Sequence, residues 1–240
     1  MSEQQKVKVK TFLPTRPLPP NSERKPICTE RLIIRPFAED DVDGIYAIHR
    51  QPEVMMYTTR GRIDDDKEVT RKSMGRFMPP NDLHTYSNVI CLKSTGEIIG
   101  TGGINRPDQM FGWPEVGYLL KKEAWGQGYA TEFLKALLSF WWTLPRSEIE
   151  LGVDAQSVDG PGEAPEMLSA LTEQANIGSQ RVLQKAGFRE FKRWTEPDHR
   201  EGFSGDAHLV GFVLSSAGQK GYRTVGSDVH VLKPTDQAPV

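Results

Sequence analysis

Two glycines one residue apart at the entrance to an apolar helix can form an anion site. In Trp125-Gly126-Gln127-Gly128-Tyr129-Ala130-Thr131 the chain leaves a strand-like run ending at Leu120. It enters a stretch where Ala130, Phe133, Leu134, Leu137, Leu138 and Trp141 recur at the spacing of one helix face. Glycines remove the β-carbons that keep a phosphate from the backbone, and the first-turn N–H groups have no partner within the helix. The helix dipole adds about 0.3–1 kcal/mol. A bare turn can use the same glycines, so the reading needs a second element. In Asn176-Ile-Gly-Ser179-Gln-Arg-Val-Leu183, residues 176, 179 and 183 share a helix face, and the Asn176 amide both donates and accepts, as the amides of an extended ligand arm require. Alternatively, Asn176 is the helix N-cap and Ser179 an exposed helix residue. Two glycine-punctuated elements in this order, separated by a short strand, favour the ligand.

The elements that must position these residues alternate along the chain. Arg31 to Phe37 reads as a strand leading into a helix that starts on the acidic residues Glu39 to Asp41 and runs through His49. A half-exposed helix follows over Asp66 to Phe77. Tyr86 to Leu92 and Glu97 to Ile104 form a hairpin around Ser94-Thr95-Gly96, and Glu115 to Leu120 adds a strand. After the helix from Ala130 to Trp142 come a short strand, Ile149 to Val153, the helix Asn176 to Ala186 ending at Gly187, and a strand pair, Phe188 to Trp194 with His208 to Leu214. The class is mixed α/β (α+β) with mostly antiparallel neighbours. Residues 1–25, with Pro14, Pro17, Pro19 and Pro20, read as a flexible arm. Residues 217–240 read as a tail in which Val229 to Leu232 can add an edge strand, leaving one domain over 26–216. The stretch Gln156 to Gln174 is a long link punctuated by Gly160, Pro161, Gly162 and Pro165, read as a loop over the site, an oligomer contact or surface decoration.

The bulk composition narrows the function. With 37% hydrophobic and 26% charged residues, the 240-residue chain can build one core. Its 30 basic and 32 acidic residues leave no positive excess to hold nucleic acid. The longest apolar run, Phe133 to Trp142, is too short and too interrupted for a membrane span. No apolar segment follows the lysine-rich start, so the cytoplasm is expected. Cys28 and Cys91 read as packing residues, and the histidines His49, His84, His199, His208 and His230 lack ligand spacing, so no metal is expected.

Together, Thr29-Glu-Arg-Leu-Ile-Ile-Arg-Pro36, Gln51-Pro-Glu-Val-Met-Met-Tyr57, Glu115-Val-Gly-Tyr118, Trp125-Gly-Gln-Gly-Tyr-Ala-Thr-Glu132, Ala175-Asn-Ile-Gly-Ser179 and Lys185-Ala-Gly-Phe188 resemble one family. It is the RimJ/RimL-like, ribosomal-protein-alanine branch of the GCN5-related N-acetyltransferases (GNAT), and the likeness runs over roughly residues 27–216. The resemblance implies a splayed central sheet with acetyl-CoA in its cleft. The pyrophosphate would lie on the turn Trp125, Gly126, Gln127, Gly128, Tyr129, Ala130 and Thr131. The pantetheine would run along Tyr118, Leu119 and Leu120, with Asn176 and Ser179 beside it. Trp125 stands where the superfamily usually has Arg or Gln, a change of side chain in a turn that binds through its backbone. Leu183 stands where many relatives have the tyrosine that protonates the departing thiolate, and leucine cannot do this.

On that resemblance the partners are acetyl-CoA and an amine acceptor, either a peptide N-terminus or a small amine, handled by a monomer or homodimer. An alkyl ammonium keeps its proton at neutral pH, so attack on a thioester needs a base or a water relay. Glu115, just before Gly117-Tyr118, is the candidate base, with a solvated strand residue as the alternative. A main-chain N–H near Leu119 would receive the oxyanion, and Ser179 is the candidate donor to the sulfur. A non-catalytic acyl-CoA sensor on the same fold is the rival reading. A polyamine acetyltransferase is another, if Asp64, Asp65, Asp66, Asp159 and Glu163 line the mouth of the cleft.

Overall fold

Strand alternation begins at the sixth residue: Lys6, Lys8 and Lys10 point outward while Val9, Thr11 and Leu13 are buried. The computed structural model describes residues 5–105, 107, 110–200 and 202–217. In chain order these residues form β1 (Lys6–Pro14), β2 (Ile27–Cys28), β3 (Leu32–Arg35), α1 (Val42–His49), α2 (Pro52–Met55), α3 (Lys67–Met74), β4 (Tyr86–Leu92), β5 (Ile98–Ile104) and β6 (Val116–Leu120). There follow α4 (Tyr129–Trp141), β7 (Arg146–Asp154), β8 (Gly162–Glu163), β9 (Met167–Glu173), α5 (Ile177–Lys185), β10 (Arg189–Pro197) and β11 (Asp206–Ser215). Residues 218–240, including the expected edge strand at Val229 to Leu232, lie outside the described residues.

Two antiparallel sheets meet at one point. One runs β2-β3-β4-β5-β6 and the other β10-β11-β9. They touch where Glu115 bridges Ser169 in parallel and the Ser169 N–H donates to Pro114 at 2.9 Å. Beyond that contact β6 and β9 are not paired, which is the splay that the resemblance implies. α4 covers one face, burying Phe133, Leu134, Leu137, Leu138 and Trp141 against Leu32, Ile34, Ile90, Ile99, Val116 and Leu120. Each such side chain contributes roughly 1.5–3 kcal/mol. Gly102 lets the helix come close, because a β-carbon there would stand 2.7 Å from the Phe133 ring. α1 and α3 cover the other face through Val42, Ile45 and Met74, packed on Val89 and Cys91.

Three expectations fail. Part of residues 1–25 is structural: β1 is the middle strand of a third sheet, antiparallel to β7 over nine pairs from Lys6↔Asp154 to Pro14↔Arg146 and parallel to β8. The following prolines obscured its alternation. Leu18 and Arg24 are also buried, and the Arg24 guanidinium donates to the carbonyls of Pro19, Asp82 and Thr85. The link Gln156 to Gln174 is likewise not one loop, since its later part is β9, the strand of the second sheet that borders the splay. β9 is buried on both faces, so it reads as a short run without period-2 alternation. Ile149 to Val153, expected as a short strand, is part of β7 in the third sheet. Finally, Cys91 is buried but Cys28 is exposed, so only one cysteine is a packing residue.

The third sheet braces what comes before β6. Phe111 and Trp113 are fully buried against Val9, Val153 and Met167, and the Trp113 indole donates to the Ser157 hydroxyl at 2.9 Å. Gly112, at φ +78, passes so near β7 that a β-carbon would lie 2.1 Å from the Gly152 carbonyl. Glu115 follows this clamped segment directly.

Candidate active site

The direction of each main-chain group at the splay follows from strand alternation. Asn105 N–H donates to the Glu115 carbonyl, and Lys121 N–H to that of Ile99, so residues 115, 117, 119 and 121 turn their backbone toward β5. Tyr118 and Leu120 therefore turn theirs to the open side, where the Leu120 carbonyl accepts the Trp125 indole N–H at 2.8 Å. On β9, the bonds Gln174 N–H to His208 and Ser216 N–H to Glu166 fix the opposite set, leaving Leu171 and Glu173 with their backbone toward the splay. The main-chain donor expected near Leu119 is thus not Leu119 itself, whose N–H points into the β5–β6 ladder. Tyr118 and Leu120 carry the free ones.

A cavity of about 570 Å³ occupies this opening, and Glu115, Tyr118, Leu119, Asn176, Ser179 and Leu183 all line it. Glu115 is half-buried, and among the described residues its carboxyl has no hydrogen-bond partner. Burial pushes its pKa up to about 7. Tyr118 reaches across from β6 to α5: its hydroxyl lies 3.0 Å from that of Ser179 and 3.3 Å from the Ser179 carbonyl. Burial pushes this phenol up to about 12, with the Ser179 hydrogen bond pulling weakly the other way. Asn176 is the N-cap of α5, its Oδ1 accepting the Ser179 N–H at 3.0 Å, so its NH₂ is the group left without a bond to a described residue. Leu183 is 1% exposed and belongs to the main core, while Leu120 packs its side chain there as well.

Trp125 to Thr131 lie past the end of β6, outside this cavity. Gly126 and Gly128 adopt φ +74 and +84, a backbone that favours glycine, and no side chain caps α4. A β-carbon on Gly126 would meet nothing within 4 Å. The turn is exposed, and Gln127 folds its amide back onto the Glu123 carbonyl at 2.6 Å. Arg31, which sequence reasoning passed over, stands beside it: its guanidinium donates to the Gln127 carbonyl at 3.0 Å, stacks on the Tyr129 ring and pairs with Glu132. Its only sequence signal was membership of the Thr29 to Pro36 motif.

The acidic residues expected at the mouth are elsewhere. Asp64 is buried, Asp65 pairs with Arg62, Asp66 caps α3 through the Val69 N–H, and Asp159 and Glu163 line a separate hollow near β8. Glu173, Glu196 and Asp198 line the main cavity with Glu115, and Arg200 pairs with two of them, Glu173 and Asp198. His49, read as an isolated histidine, also lines the cavity and bonds to Asp64.

The acetyltransferase (GNAT) domain family matches residues 31–189, a span holding both the glycine turn and the Asn176 helix. The chain belongs to the GNAT family. It is an N-acetyltransferase, 32% identical over 132 residues to an uncharacterized N-acetyltransferase, p20, of Bacillus licheniformis, covering 54% of this chain and 73% of p20. The splayed sheet recurs in RimL, the ribosomal L7/L12 α-N-protein acetyltransferase solved with coenzyme A, at TM-score 0.58 and 16% identity over 78% of this chain and 97% of that one. It recurs too in spermidine N-acetyltransferase from Vibrio cholerae, solved with CoA and spermine, at TM-score 0.59 and 12% identity over 79% and 98%. GNAT relatives on this fold thus include enzymes of protein and polyamine amines. Among the described residues no helix is long and apolar enough to cross a membrane.

Proposed function

We propose that the protein transfers the acetyl group of acetyl-CoA to a primary amine by direct attack, with Glu115 taking the ammonium proton. The observation that carries this reading is Glu115 at the point where β6 and β9 part, its carboxyl without a hydrogen-bond partner among the described residues and raised to about 7 by burial. An alkyl ammonium titrates near 10, so a carboxylate with this affinity is matched to collect its proton at neutral pH, directly or through water. Acetyl-CoA supplies the acetyl group activated as a thioester. The turn 126–131, the free main chain of Tyr118 and Leu120 and the Asn176 NH₂ fit it, offering uncapped N–H groups and open space over Gly126. The Tyr118 N–H is the donor assigned to the acyl oxygen. The Tyr118 and Ser179 hydroxyls share one hydrogen bond, and the O–H that this bond leaves over donates to the departing sulfur. A phenol near 12 gives up its proton less readily than a thiol near 8.5, so their help is partial.

The edge of β9 that Leu171 turns to the splay favours a peptide α-amine over a polyamine, because only a peptide has main-chain groups to pair there. The enzyme would act in the cytoplasm as a monomer or homodimer. A thiol-release assay with acetyl-CoA against N-terminal peptides and polyamines tests the reading. Release above the acceptor-free rate with at least one peptide is expected. Acetyl-CoA binding with no amine accepted would make the chain an acyl-CoA sensor.

A further inference from the structure

Where α1 ends, the cavity is lined by an imidazole whose tautomer its neighbours dictate. His49 is 9% exposed, and its Nδ1 lies 2.8 Å from Oδ2 of Asp64, which is fully buried. That carboxylate is held on every side. Thr70 donates its hydroxyl to Oδ2 at 2.6 Å, Arg60 pairs with Oδ1, and the Asp64 N–H donates to the His49 carbonyl at 3.1 Å, fixing the loop to the helix. An ionised carboxylate only accepts hydrogen bonds, so in the neutral ring the proton sits on Nδ1 and Nε2 carries the lone pair. Nε2 has no hydrogen bond to a described residue, nor is it among the buried side-chain atoms left without a partner. The atom is therefore not sealed off, and the residue that carries it lines the cavity together with Glu115.

We propose that His49 is an acceptor-binding residue: Nε2, held as a lone pair by Asp64, accepts a hydrogen bond from an N–H of the acceptor substrate. The inference rests on the acetyl-transfer reading, in which acetyl-CoA lies along β6 and α5. The side formed by α1 and the loops at Tyr57 and Arg60 is then left to the acceptor. Its chemistry matches the substrate class, since both a peptide beyond its α-amine and a polyamine present N–H donors. A cavity wall of donors alone would repel them. The tautomer is therefore a specificity device, built by an aspartate that never meets the substrate.

Substituting His49 in two ways separates this role from support of Asp64. In His49→Asn the side-chain NH₂ stands near the place of Nδ1 and still donates to Asp64, but the lone pair facing the cavity is gone. In His49→Gln the amide reaches the place of Nε2, and its oxygen can accept. We expect His49→Asn to raise KM for an alanine-initiated peptide, or for spermidine if that is the amine turned over, by about tenfold or more. KM for acetyl-CoA and Tm should stay near wild type, and His49→Gln should recover part of the loss. A wild-type acceptor KM in His49→Asn overturns the proposal. Independently of any turnover, long-range ¹H–¹⁵N spectra of the full chain should show His49 protonated on Nδ1. Protonation on Nε2 overturns the proposal even if the enzyme is active. Failure of every amine to react, with the Nδ1–H tautomer present, would instead count against the acetyl-transfer reading.

Discussion

The hydroxyl of Tyr118 on β6 lies 3.0 Å from the hydroxyl of Ser179 on α5, so one hydrogen bond spans the gap between the strand and the helix. Ser179→Ala and Tyr118→Phe should each lower kcat by roughly tenfold to a few hundredfold, about 1.4–3.4 kcal/mol, with acetyl-CoA affinity little changed. Because each hydroxyl orients the other, the double variant should fall short of the product of the two single losses. Single-turnover rates for the four proteins check this. Strict additivity would mean that the two hydroxyls act apart.

Glu115→Gln should retain acetyl-CoA binding and lose roughly 10²-fold or more in turnover. In the wild type, kcat/KM should rise with pH through a limb near 7, and the variant should lack that limb. Stability should move the other way. The folded protein holds the Glu115 proton from its ordinary 4.5 up to about 7, so folding takes up a proton in that window and stability falls as pH rises through it. Glu115→Gln should therefore be more stable than wild type at pH 8, by on the order of 1–3 kcal/mol, and nearly equal to it below pH 4.5. Thermal melts at the two ends of the range measure the difference.

Gly128→Val should remove acetyl-CoA binding from a folded protein. At φ +84 a branched side chain is strained and stands where the first-turn amides open to solvent. Acetyl-CoA at a hundredfold excess over Kd should stabilise the wild type by roughly 2.7 kcal/mol, seen as a rise in Tm. The variant should melt at the same temperature with and without it.

Deleting residues 1–20 should destabilise the protein strongly. The deletion takes the middle strand from the third sheet and buried Val9, Leu13 and Leu18 from the cores, at roughly 1.5–3 kcal/mol for each side chain. It also uncovers Phe111 and Trp113, which hold the segment leading to Glu115. A truncated chain with the Tm and turnover of the full one would show that the third sheet is dispensable.

The sequence by itself determined those features whose signal is local. The glycines before α4, the helix face from Phe133 to Trp141, the hairpin of β4 and β5 and the cap at Asn176 depend on turn chemistry and periodicity within a few residues. The ordered motifs identify the family from residues 29–188 and contain Glu115, Tyr118 and Ser179.

Tertiary structure decided what depends on distant partners. β1 is a strand because β7, some 140 residues away, supplies its ladder, and β9 is a strand because β11, some 40 residues on, supplies its own. Strand polarity at β6, fixed by pairing with β5, turned the free N–H from Leu119 to Tyr118 and Leu120. The raised pKa of Glu115 is a property of its burial, which no spacing encodes. His49 and Asp64 stand fifteen residues apart on a helix and a loop. Only the packing of α1 on α3 brings Asp64 onto one ring nitrogen of His49, a residue that lines the cleft, and leaves the other without a hydrogen bond to a described residue.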